Sequence, residues 1–390
     1  MRKFLLAATA LAAAMATAQA ADTIKLGFMV GKTGAAGVVG EEQQRGLDLA
    51  LAAHDNKLGG VPIKLFAEDD KGDPNVAVQL ASKFVDEAKI DIITGITGSN
   101  TAIPAVPTLL EAGIWVVGAL AGPQQFAGKE CHQNAFYVSF ENEDWDDALA
   151  MYLNKQGVKS IYFMGADYQA GWEKIGGAMK FYKGKATGPV YTPWQTQVDL
   201  AAELSQVRAA DPEAVFVFYP GGSGIAFLKQ FAQAGLHDKI KIFSEDTMAT
   251  ELSFAAEGDA ALGVTQASSW SYELDNAANK KFVADFVAKY GRKPTIFAAL
   301  QYDAVNLIDS AVAAVHGNIA DKDAFRAALR KADFQSVRGP FKFSNNQFPI
   351  QNIYLTEVVK DPDGKMRLAL KGTAAEGWHD VYHDQCPMKW

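Results

Sequence analysis

The short segment GSNTAIP, residues 98–104, carries side chains that suit the binding of an anion. It follows the apolar run Ile90–Thr94, which predicts a buried strand, and it precedes a predicted helix. The first N–H groups of a helix have no partner within it, and Ser99, Asn100 and Thr101 can cap them or donate to a ligand. Helix N-termini of this kind bind carboxylate and phosphate groups. The segment therefore predicts either an anion site or a plain helix cap.

Two other strand ends in the first half of the chain are rich in small residues. GKTGAAGVVG (31–40) lacks the lysine and serine/threonine ending of a phosphate loop and the spacing of a dinucleotide fingerprint, so it does not predict nucleotide binding. GALAGP (118–123) is expected to leave the backbone amides of Ala119 and Ala121 accessible. Ligands of open α/β sheets lie at the carboxyl ends of the strands, so both segments are candidate parts of one site.

Strand ends in the second half of the chain combine glycine, aromatic and acidic residues. They are YPGGSG (219–224), GADYQAGW (165–172) and SEDTMAT (244–250). The last two bring polar and aromatic side chains to one sheet edge: Asp167, Tyr168, Gln169, Glu245 and Asp246. Such groups facing a cleft can sandwich a ligand and fix its polar end. The alternative is that Asp167 and Asp246 only cap helices.

Residue patterns typical of catalysis or metal binding are scarce. The six histidines form no HExxH spacing, and no GxSxG elbow occurs. His379 and His383 lie near Asp380 in a polar tail that we expect to be solvated. The two cysteines, Cys131 and Cys386, are a candidate disulfide in an oxidising compartment, with two separate thiols as the alternative. We therefore predict no cofactor, no metal and no enzymatic activity.

The N-terminus and the overall charge indicate an exported protein with a small-molecule partner. Residues 1–20 combine a positive start, an apolar stretch and the small-residue site Ala18–Ala20, which is typical of a cleaved signal peptide. The apolar stretch is too short to span a bilayer. The net charge of −8 and the absence of a basic block argue against nucleic acid.

Strands and helices alternate along most of the chain, which predicts right-handed βαβ units and parallel sheets. One series runs from the strand Thr23–Met29 to the strand Ile114–Gly118 and includes a helix at Ala102–Ala112. A second series runs from a helix at Asp144 to a strand ending at Phe243, and three helices and a β-rich tail follow. No low-complexity linker separates the series, so we expect two doubly wound α/β lobes joined by crossing strands.

The order of these segments resembles that of the periplasmic binding proteins of ABC transporters, in the Leu/Ile/Val-binding family. The resemblance covers nearly all of the chain after residue 20. It rests on six segments, which are IKLGFMVGKTGAAGVVGEEQQRGLDLAL, LFAEDDKGDPNVAVQLASKFV, GSNTAIPAVP, ADYQAGWE, FYPGGSGIAFLKQFAQAGL and ALQYDAVNLIDSAV. It implies a type I fold of two Rossmann-like lobes with parallel central sheets, joined by three hinge strands. The first lobe would be 21–139 plus 270–338, and the second 140–269 plus the tail 339–390.

The resemblance also implies where a ligand binds. Ser99, with Asn100 beside it, and the amide of Ala119 would hold a ligand carboxylate. Tyr168, Gln169 and Gly221 would complete the lining, and Asp246 would pair with an ammonium group or accept from a ring hydroxyl. Departures from the amino-acid binders widen the site: Ala121 replaces a threonine, Ala170 a tyrosine, and Val39 an aromatic residue.

These departures favour a small hydrophobic or aromatic carboxylate as the ligand. We therefore expect a monomeric periplasmic protein that captures such a ligand and delivers it to ABC permease subunits in the inner membrane. The alternative in the same class is a branched-chain or other aliphatic amino-acid binder, which an acid at 246 would favour. An alternative from another functional class is a sensory ligand-binding protein. An enzyme with an unrecognised active site is the third alternative.

Overall fold

The first half of the chain forms one sheet with its covering helices. The computed structural model describes residues 22–194 and 199–389, so the predicted signal peptide lies outside the described residues. The elements up to residue 137 are β1 Ile24–Val30, α1 Gly37–Ala53, β2 Lys57–Leu58, β3 Val61–Asp69, α2 Pro74–Lys83, β4 Ile92–Gly95, α3 Ser99–Glu111, β5 Trp115–Gly118, α4 Gln124–Ala127 and β6 Ala135–Tyr137. Their strands lie in the order β2-β3-β1-β4-β5-β6, and every pair except β2–β3 is parallel.

The rest of the chain forms a second, larger sheet. Its first elements are α5 Asp144–Lys155, β7 Ser160–Ala166, α6 Gln169–Phe181, β8 Lys185–Thr192, α7 Ala201–Ala210, β9 Ala214–Phe218, α8 Gly222–Gln233, β10 Lys241–Glu245, α9 Phe254–Glu257 and β11 Thr265–Ser268. The chain ends in α10 Ala277–Tyr290, α11 Ile296–Ala314, α12 Lys322–Lys331, β12 Lys342–Phe343, β13 Pro349–Lys360 and β14 Met366–Trp378. The strand order is β12-β13-β11-β10-β9-β7-β8, with β14 paired to β13.

Both sheets have a point at which the winding direction changes. In the first sheet β1 lies between β3 and β4, and in the second sheet β7 lies between β8 and β9. The loops that leave the carboxyl ends of these strands turn to opposite faces of their sheet and leave a crevice there. The fold therefore prepares one crevice per sheet, next to α3 in the first sheet and next to α6 in the second.

The predicted α/β alternation and the two mostly parallel sheets are confirmed. The main difference at the candidate site is that α3 begins at Ser99, three residues before the predicted start at Ala102. The prediction missed five short elements, β2, α4, β6, α9 and β11, because runs of two to four residues carry little periodicity.

Because α11 packs on α1, β4 and β5 of the first sheet, the chain passes between the two halves of the structure at residues 138–143, 269–276 and 332–341. A buried arginine holds two of these crossings together. Arg338 donates to the carbonyl oxygens of Val138 (2.6 Å) and Ser139 (3.3 Å) in the first crossing. It also donates to Gln351 Oε1 (2.8 Å) and pairs with Asp303 on α11, with 3.2 Å between Nε and Oδ2. Because both charges are buried, each depends on the other for compensation.

The C-terminal tail is fixed against the first sheet. Cys131 and Cys386 are joined by a disulfide bond, with their Cα atoms 5.7 Å apart. Asp380 is buried and accepts from Asn346 Nδ2 at 2.8 Å, so the expectation of a fully solvated tail is wrong at this residue. Within the described residues, no helix combines the length and the apolar character that crossing a bilayer requires.

Replacing Arg338 with alanine should lower the free energy of unfolding by about 3–5 kcal/mol, since it leaves the Asp303 carboxylate buried without its cation. Urea unfolding followed by circular dichroism measures this loss. Lys331→Ala is the control, because the side chains of Lys331 and Asp333 are 71% and 70% exposed. An exposed pair contributes about 0–1 kcal/mol. A loss for Arg338→Ala no larger than that of the control would contradict the prediction.

Candidate functional site

A cavity with about 440 Å³ of atom-free space lies between the carboxyl ends of the two sheets. Both sheets and α11 contribute to its lining. The apolar and aromatic lining residues are Ala36, Val39, Leu120, Ala121, Phe140, Tyr168, Ala170, Trp194, Phe218, Pro220 and Phe297. The polar lining residues are Thr97, Ser99, Asn142, Lys174, Glu245 and Thr247. An apolar interior with a few polar groups is the usual composition of a small-molecule site.

The first polar pole of the cavity is the start of α3. Its N-cap residue is Gly98, which has no side chain to satisfy the free N–H groups of the first turn. Ser99 is the first helical residue and is buried, and its Oγ accepts from Asn142 Nδ2 at 2.9 Å. Its own hydroxyl hydrogen can therefore be donated into the cavity. A free helix N-terminus and a hydroxyl donor together favour an anionic group at this pole.

Aromatic rings form much of the wall on the side of the second sheet. The rings of Tyr168 and Trp194 are stacked, with centroids 4.2 Å apart and planes at 10°. The ring of Phe218 lies 6.0 Å from that of Tyr168. Phe140, in the first crossing, packs on Trp145 with 4.0 Å between centroids. These faces suit contact with a flat apolar group.

Lys174 on α6 is a buried cation in the cavity wall. Its Nζ donates to the carbonyl oxygen of Asn142 at 2.8 Å and lies 3.3 Å from Asp146 Oδ2 and 3.6 Å from Glu245 Oε2. The ammonium also lies 4.8 Å from the centroid of the Phe140 ring. Burial alone would lower the pKa of Lys174, but the charges of Asp146 and Glu245 raise it. The side chain therefore keeps its charge inside the protein.

Glu245, at the end of β10, forms the second polar pole. Its Oε1 accepts from the hydroxyl of Thr247. Its Oε2 is buried and receives no hydrogen bond from any described residue; the 3.6 Å to Lys174 fits an ion pair but is too long for a hydrogen bond. Burial raises the pKa of Glu245 to about 8, against the opposing effect of the Lys174 charge.

A run of buried acids surrounds the cavity residue Asn142. Its members are Glu141, Glu143, Asp144, Asp146 and Asp147. The tail reaches this run, because Trp378 Nε1 donates to Asp144 Oδ1 (2.9 Å) and the Tyr382 hydroxyl donates to Glu143 Oε1 (2.7 Å). Burial raises the pKa of Glu143 to about 7 and that of Asp147 to about 9. The segment is therefore partly protonated at neutral pH.

Five of the ligand-binding residues expected from the sequence line the cavity: Val39, Ser99, Ala121, Tyr168 and Ala170. Val39 and Ala121 come from the first sheet's side, and Tyr168 and Ala170 from the loop and helix that follow β7. The expected small residues at 121 and 170 thus face the same space as the aromatic wall.

Two backbone amides expected to be accessible are occupied. The amide of Ala119 donates to the carbonyl oxygen of Gly95 (3.2 Å), and that of Ala121 donates to Ile96 (3.1 Å). The expectation that these amides are free is therefore wrong, and of the two residues only Ala121 lines the cavity. The hydrogen bonds between β5 and its neighbour continue for a few residues beyond the end of β5, and the amides of Ala119 and Ala121 take part in them.

Three further expected residues lie at the edge of the site. Asn100 Nδ2 donates to the carbonyl oxygen of Gly72 (2.8 Å), and Gln169 Nε2 donates to Glu173 Oε1 (2.7 Å). Gly221 has a φ of 63°, and an added Cβ there would lie 3.2 Å from the carbonyl oxygen of Ala35. The loop after β9 therefore touches the loop after β1 and narrows the mouth of the cavity.

Asp246 does not line this cavity, whereas its neighbour Glu245 does. Asp246 is buried on the other side of the strand end, where its side chain bonds to Ser268 and lines a separate cavity with Trp270. Burial raises its pKa. Successive side chains of a strand point to opposite faces, so an error of one position moves an acid from the site to the opposite side. The acid of the site is Glu245.

The sequence analysis missed several lining residues, of which Phe140, Asn142, Lys174, Trp194 and Phe297 carry the most aromatic surface or polarity. One available signal was the density of acids in ENEDWDD, residues 141–147, next to a strand. Five buried carboxyl groups require protons, donors or a cation nearby. Lys174 is such a cation, but its pairing depends on the packing of α6 on α5.

Comparisons with known proteins agree with this geometry. The family described as "Periplasmic binding protein" matches residues 23–365. A protein of Brucella melitensis biotype 1 called "Leu/Ile/Val-binding protein homolog 6" is 26% identical over 378 residues, covering 93% of this chain and 95% of that protein.

Two solved structures are similar over nearly the whole chain. One is the solute-binding protein of an R. palustris ABC transporter in complex with benzoate, with a TM-score of 0.88, 31% identity, and coverage of 94% of this chain and 100% of that one. The other is a solute-binding protein from Rhodopseudomonas palustris BisB5 in complex with 3,4-dihydroxybenzoic acid. It has a TM-score of 0.85, 27% identity, and coverage of 93% and 99%.

The run of buried acids predicts that stability falls as the pH rises. The unfolded carboxyl groups have pKa values of about 4, whereas those of Glu143 and Asp147 are raised to about 7 and about 9. The folded protein holds protons that the unfolded chain has lost, so their contribution is complete below the unfolded pKa and is lost as the pH rises through the folded values. Thermal unfolding should therefore occur at a lower temperature at pH 8.5 than at pH 5.5.

Asp147→Asn is the matched variant, since an amide resembles the protonated carboxyl group. It should raise the unfolding temperature relative to the unmodified protein at both pH values, and by clearly more at pH 8.5 than at pH 5.5. An unfolding temperature that rises between pH 5.5 and pH 8.5, or a variant with the same pH profile as the unmodified chain, would contradict this assignment.

Proposed function

The chain belongs to the periplasmic binding protein family, and we propose that it captures a small aromatic carboxylate between two lobes and delivers it to an ABC permease. We take the lobes as residues 21–139 with 270–338 and residues 140–269 with 339–390. The change of sheet between β6 and β7 and the packing of α11 on α1, β4 and β5 of the first sheet support this division. The ligand would lie in the cavity between the lobes, with its carboxylate at the start of α3.

The observation that carries the proposal is the buried ammonium of Lys174 in the cavity wall. An amino-acid ligand would bring its own ammonium group to Glu245, the acid that faces the cavity. Glu245 Oε2 already lies 3.6 Å from Lys174 Nζ, so a second cation would be repelled at short range in a site of low dielectric. Burying an ammonium without adequate partners costs several kcal/mol. A ligand with a carboxylate and no ammonium avoids this cost.

The shape of the lining supports an aromatic body for the ligand. Ala121 and Ala170 leave space where larger side chains would fill it, and the stacked pair Tyr168 and Trp194 offers a flat face. Ring contacts of this kind contribute beyond the burial of apolar area. Ser99, with its hydroxyl hydrogen free for donation, would bind the carboxylate.

The relatives support both the leading proposal and one alternative. The two R. palustris proteins were solved with benzoate and with 3,4-dihydroxybenzoic acid, which are aromatic carboxylates. The Brucella relative carries a Leu/Ile/Val-binding name. A branched-chain or aliphatic amino-acid ligand is therefore the second candidate, and Glu245 is the residue that would receive its ammonium group.

The remaining parts of the proposal follow from the family. Its members are periplasmic solute-binding proteins, and cleavage after residue 20 would release this chain into the periplasm. We propose that it acts as a monomer, without nucleic acid, cofactor or catalytic activity. A sensory role would use the same ligand site but a different membrane partner, and neighbouring genes for permease and ATPase subunits would favour transport.

A thermal-shift screen tests the ligand class. A ligand at a hundredfold excess over its Kd stabilises the folded state by about 2.7 kcal/mol, which corresponds to a shift of about 2–4 °C in a chain of this size. We expect such a shift with benzoate-type acids and little or none with leucine, isoleucine or valine. A shift with leucine and none with the aromatic acids would make the amino-acid ligand the leading candidate in place of the aromatic carboxylate.

Ser99→Ala tests the carboxylate pole. Loss of a hydrogen bond to a charged group should weaken binding of an aromatic carboxylate by roughly 1.5–3 kcal/mol, measured by calorimetric titration. Asn100→Ala is the control in the same helical turn, since the Asn100 side chain bonds to Gly72 and does not line the cavity. If Ser99→Ala and the unmodified protein bind the aromatic carboxylate with equal affinity, the Ser99 hydroxyl does not bind the ligand and the proposed role is wrong.

A further inference from the structure

Glu245 Oε2 is a buried hydrogen-bond acceptor at the surface of the ligand cavity. The residue is fully buried and lines the cavity, and this oxygen has no hydrogen-bond partner among the described residues. The other oxygen, Oε1, accepts from the Thr247 hydroxyl. Buried polar atoms in native proteins are nearly always bonded, and an exception at a binding site calls for a donor that the protein itself does not supply.

The donor that completes this site must be neutral. Lys174 Nζ lies 3.6 Å from Oε2, too far for a hydrogen bond but near enough to repel any second cation. Lys174 cannot easily approach further, since it is held by the carbonyl oxygen of Asn142 at 2.8 Å and by Asp146 at 3.3 Å. A hydroxyl group satisfies both conditions, because it donates a hydrogen bond and carries no positive charge.

The two polar poles of the cavity lie on different sheets. Ser99 belongs to α3 of the first sheet and Glu245 to the end of β10 in the second. Asn142 and Lys174 connect them: Asn142 Nδ2 donates to Ser99 Oγ at 2.9 Å, and Lys174 lies between Asn142 and Glu245. Ser99 and Glu245 line the same cavity from different sheets, so a ligand with its carboxylate at Ser99 can place a ring substituent against Glu245.

We propose, on the basis of the function proposed above, that Glu245 accepts a hydrogen bond from a ring hydroxyl and so selects hydroxylated aromatic acids over unsubstituted ones. The ligand class is thus narrowed to hydroxybenzoate-type acids, and Glu245 is the residue that determines this specificity. A hydrogen bond to the buried carboxyl oxygen, which needs no charge on Glu245, corresponds to a gain in affinity of about two- to tenfold.

Calorimetric titration with benzoate, 3-hydroxybenzoate, 4-hydroxybenzoate and 4-methoxybenzoate tests the proposal. The unmodified protein should bind one of the hydroxybenzoates at least about threefold more tightly than benzoate, and 4-methoxybenzoate, which has no donor, should bind no more tightly than benzoate. Glu245→Leu should abolish the preference for the hydroxyl, and Glu245→Gln should restore part of it, because the amide oxygen still accepts. Asp246→Asn is the control and should leave the preference unchanged, since Asp246 lies outside the cavity.

The outcomes separate this inference from the function on which it rests. Tight and equal binding of benzoate and the hydroxybenzoates would overturn the role of Glu245 and leave the aromatic-carboxylate function in place. An undiminished hydroxyl preference in Glu245→Leu would also overturn it. Failure of all four acids to bind would overturn both. The titrations of the unmodified protein decide the ligand preference even if Glu245→Leu does not fold.

Discussion

The buried ammonium of Lys174 is the interaction on which the rest of the site depends. A cation removed from water needs compensating charge and acceptors close by, and here they come from three separate parts of the chain. Asp146 belongs to α5, the carbonyl oxygen of Asn142 to the first crossing, and Glu245 to the end of β10. Lys174 therefore ties α6 to the crossing and to the neighbouring strand. The position of the cavity wall follows from this single charge.

The same charge compensates only part of the acids buried beside it. Five carboxyl groups lie in residues 141–147, whereas Lys174 alone can neutralise at most one unit of their charge. The remainder must be protonated or bonded, and burial accordingly raises the pKa of Glu143 and Asp147. Asn142 lies within this run and bonds both Ser99 on α3 and Glu173 on α6. The acid run thus links the two sheets at the point where the ligand would lie.

The architecture could be predicted from the sequence because it rests on repeated local patterns. Strand–helix alternation and the residues at strand ends predicted two parallel sheets and pointed to Ser99 and Tyr168, and the family resemblance added Ala170; all three line the cavity. What could not be predicted depends on register and packing. Glu245 and Asp246 differ by one position, and only the strand register decides which faces the ligand. The sequence around Lys174 is that of an ordinary helix, and its burial and its ion pairs arise only from the packing of α6 on α5.

The C-terminal tail connects the stability of the fold to the shape of the site. The disulfide between Cys131 and Cys386 holds the end of the tail against the first sheet. A few residues earlier, Trp378 and Tyr382 donate to Asp144 and Glu143 and supply two of the donors that the acid run needs. These acids precede Asp146, which in turn holds Lys174. A change in the tail can therefore act on the cavity wall through the first turn of α5, which carries both Asp144 and Asp146, although no described residue of the tail lines that cavity.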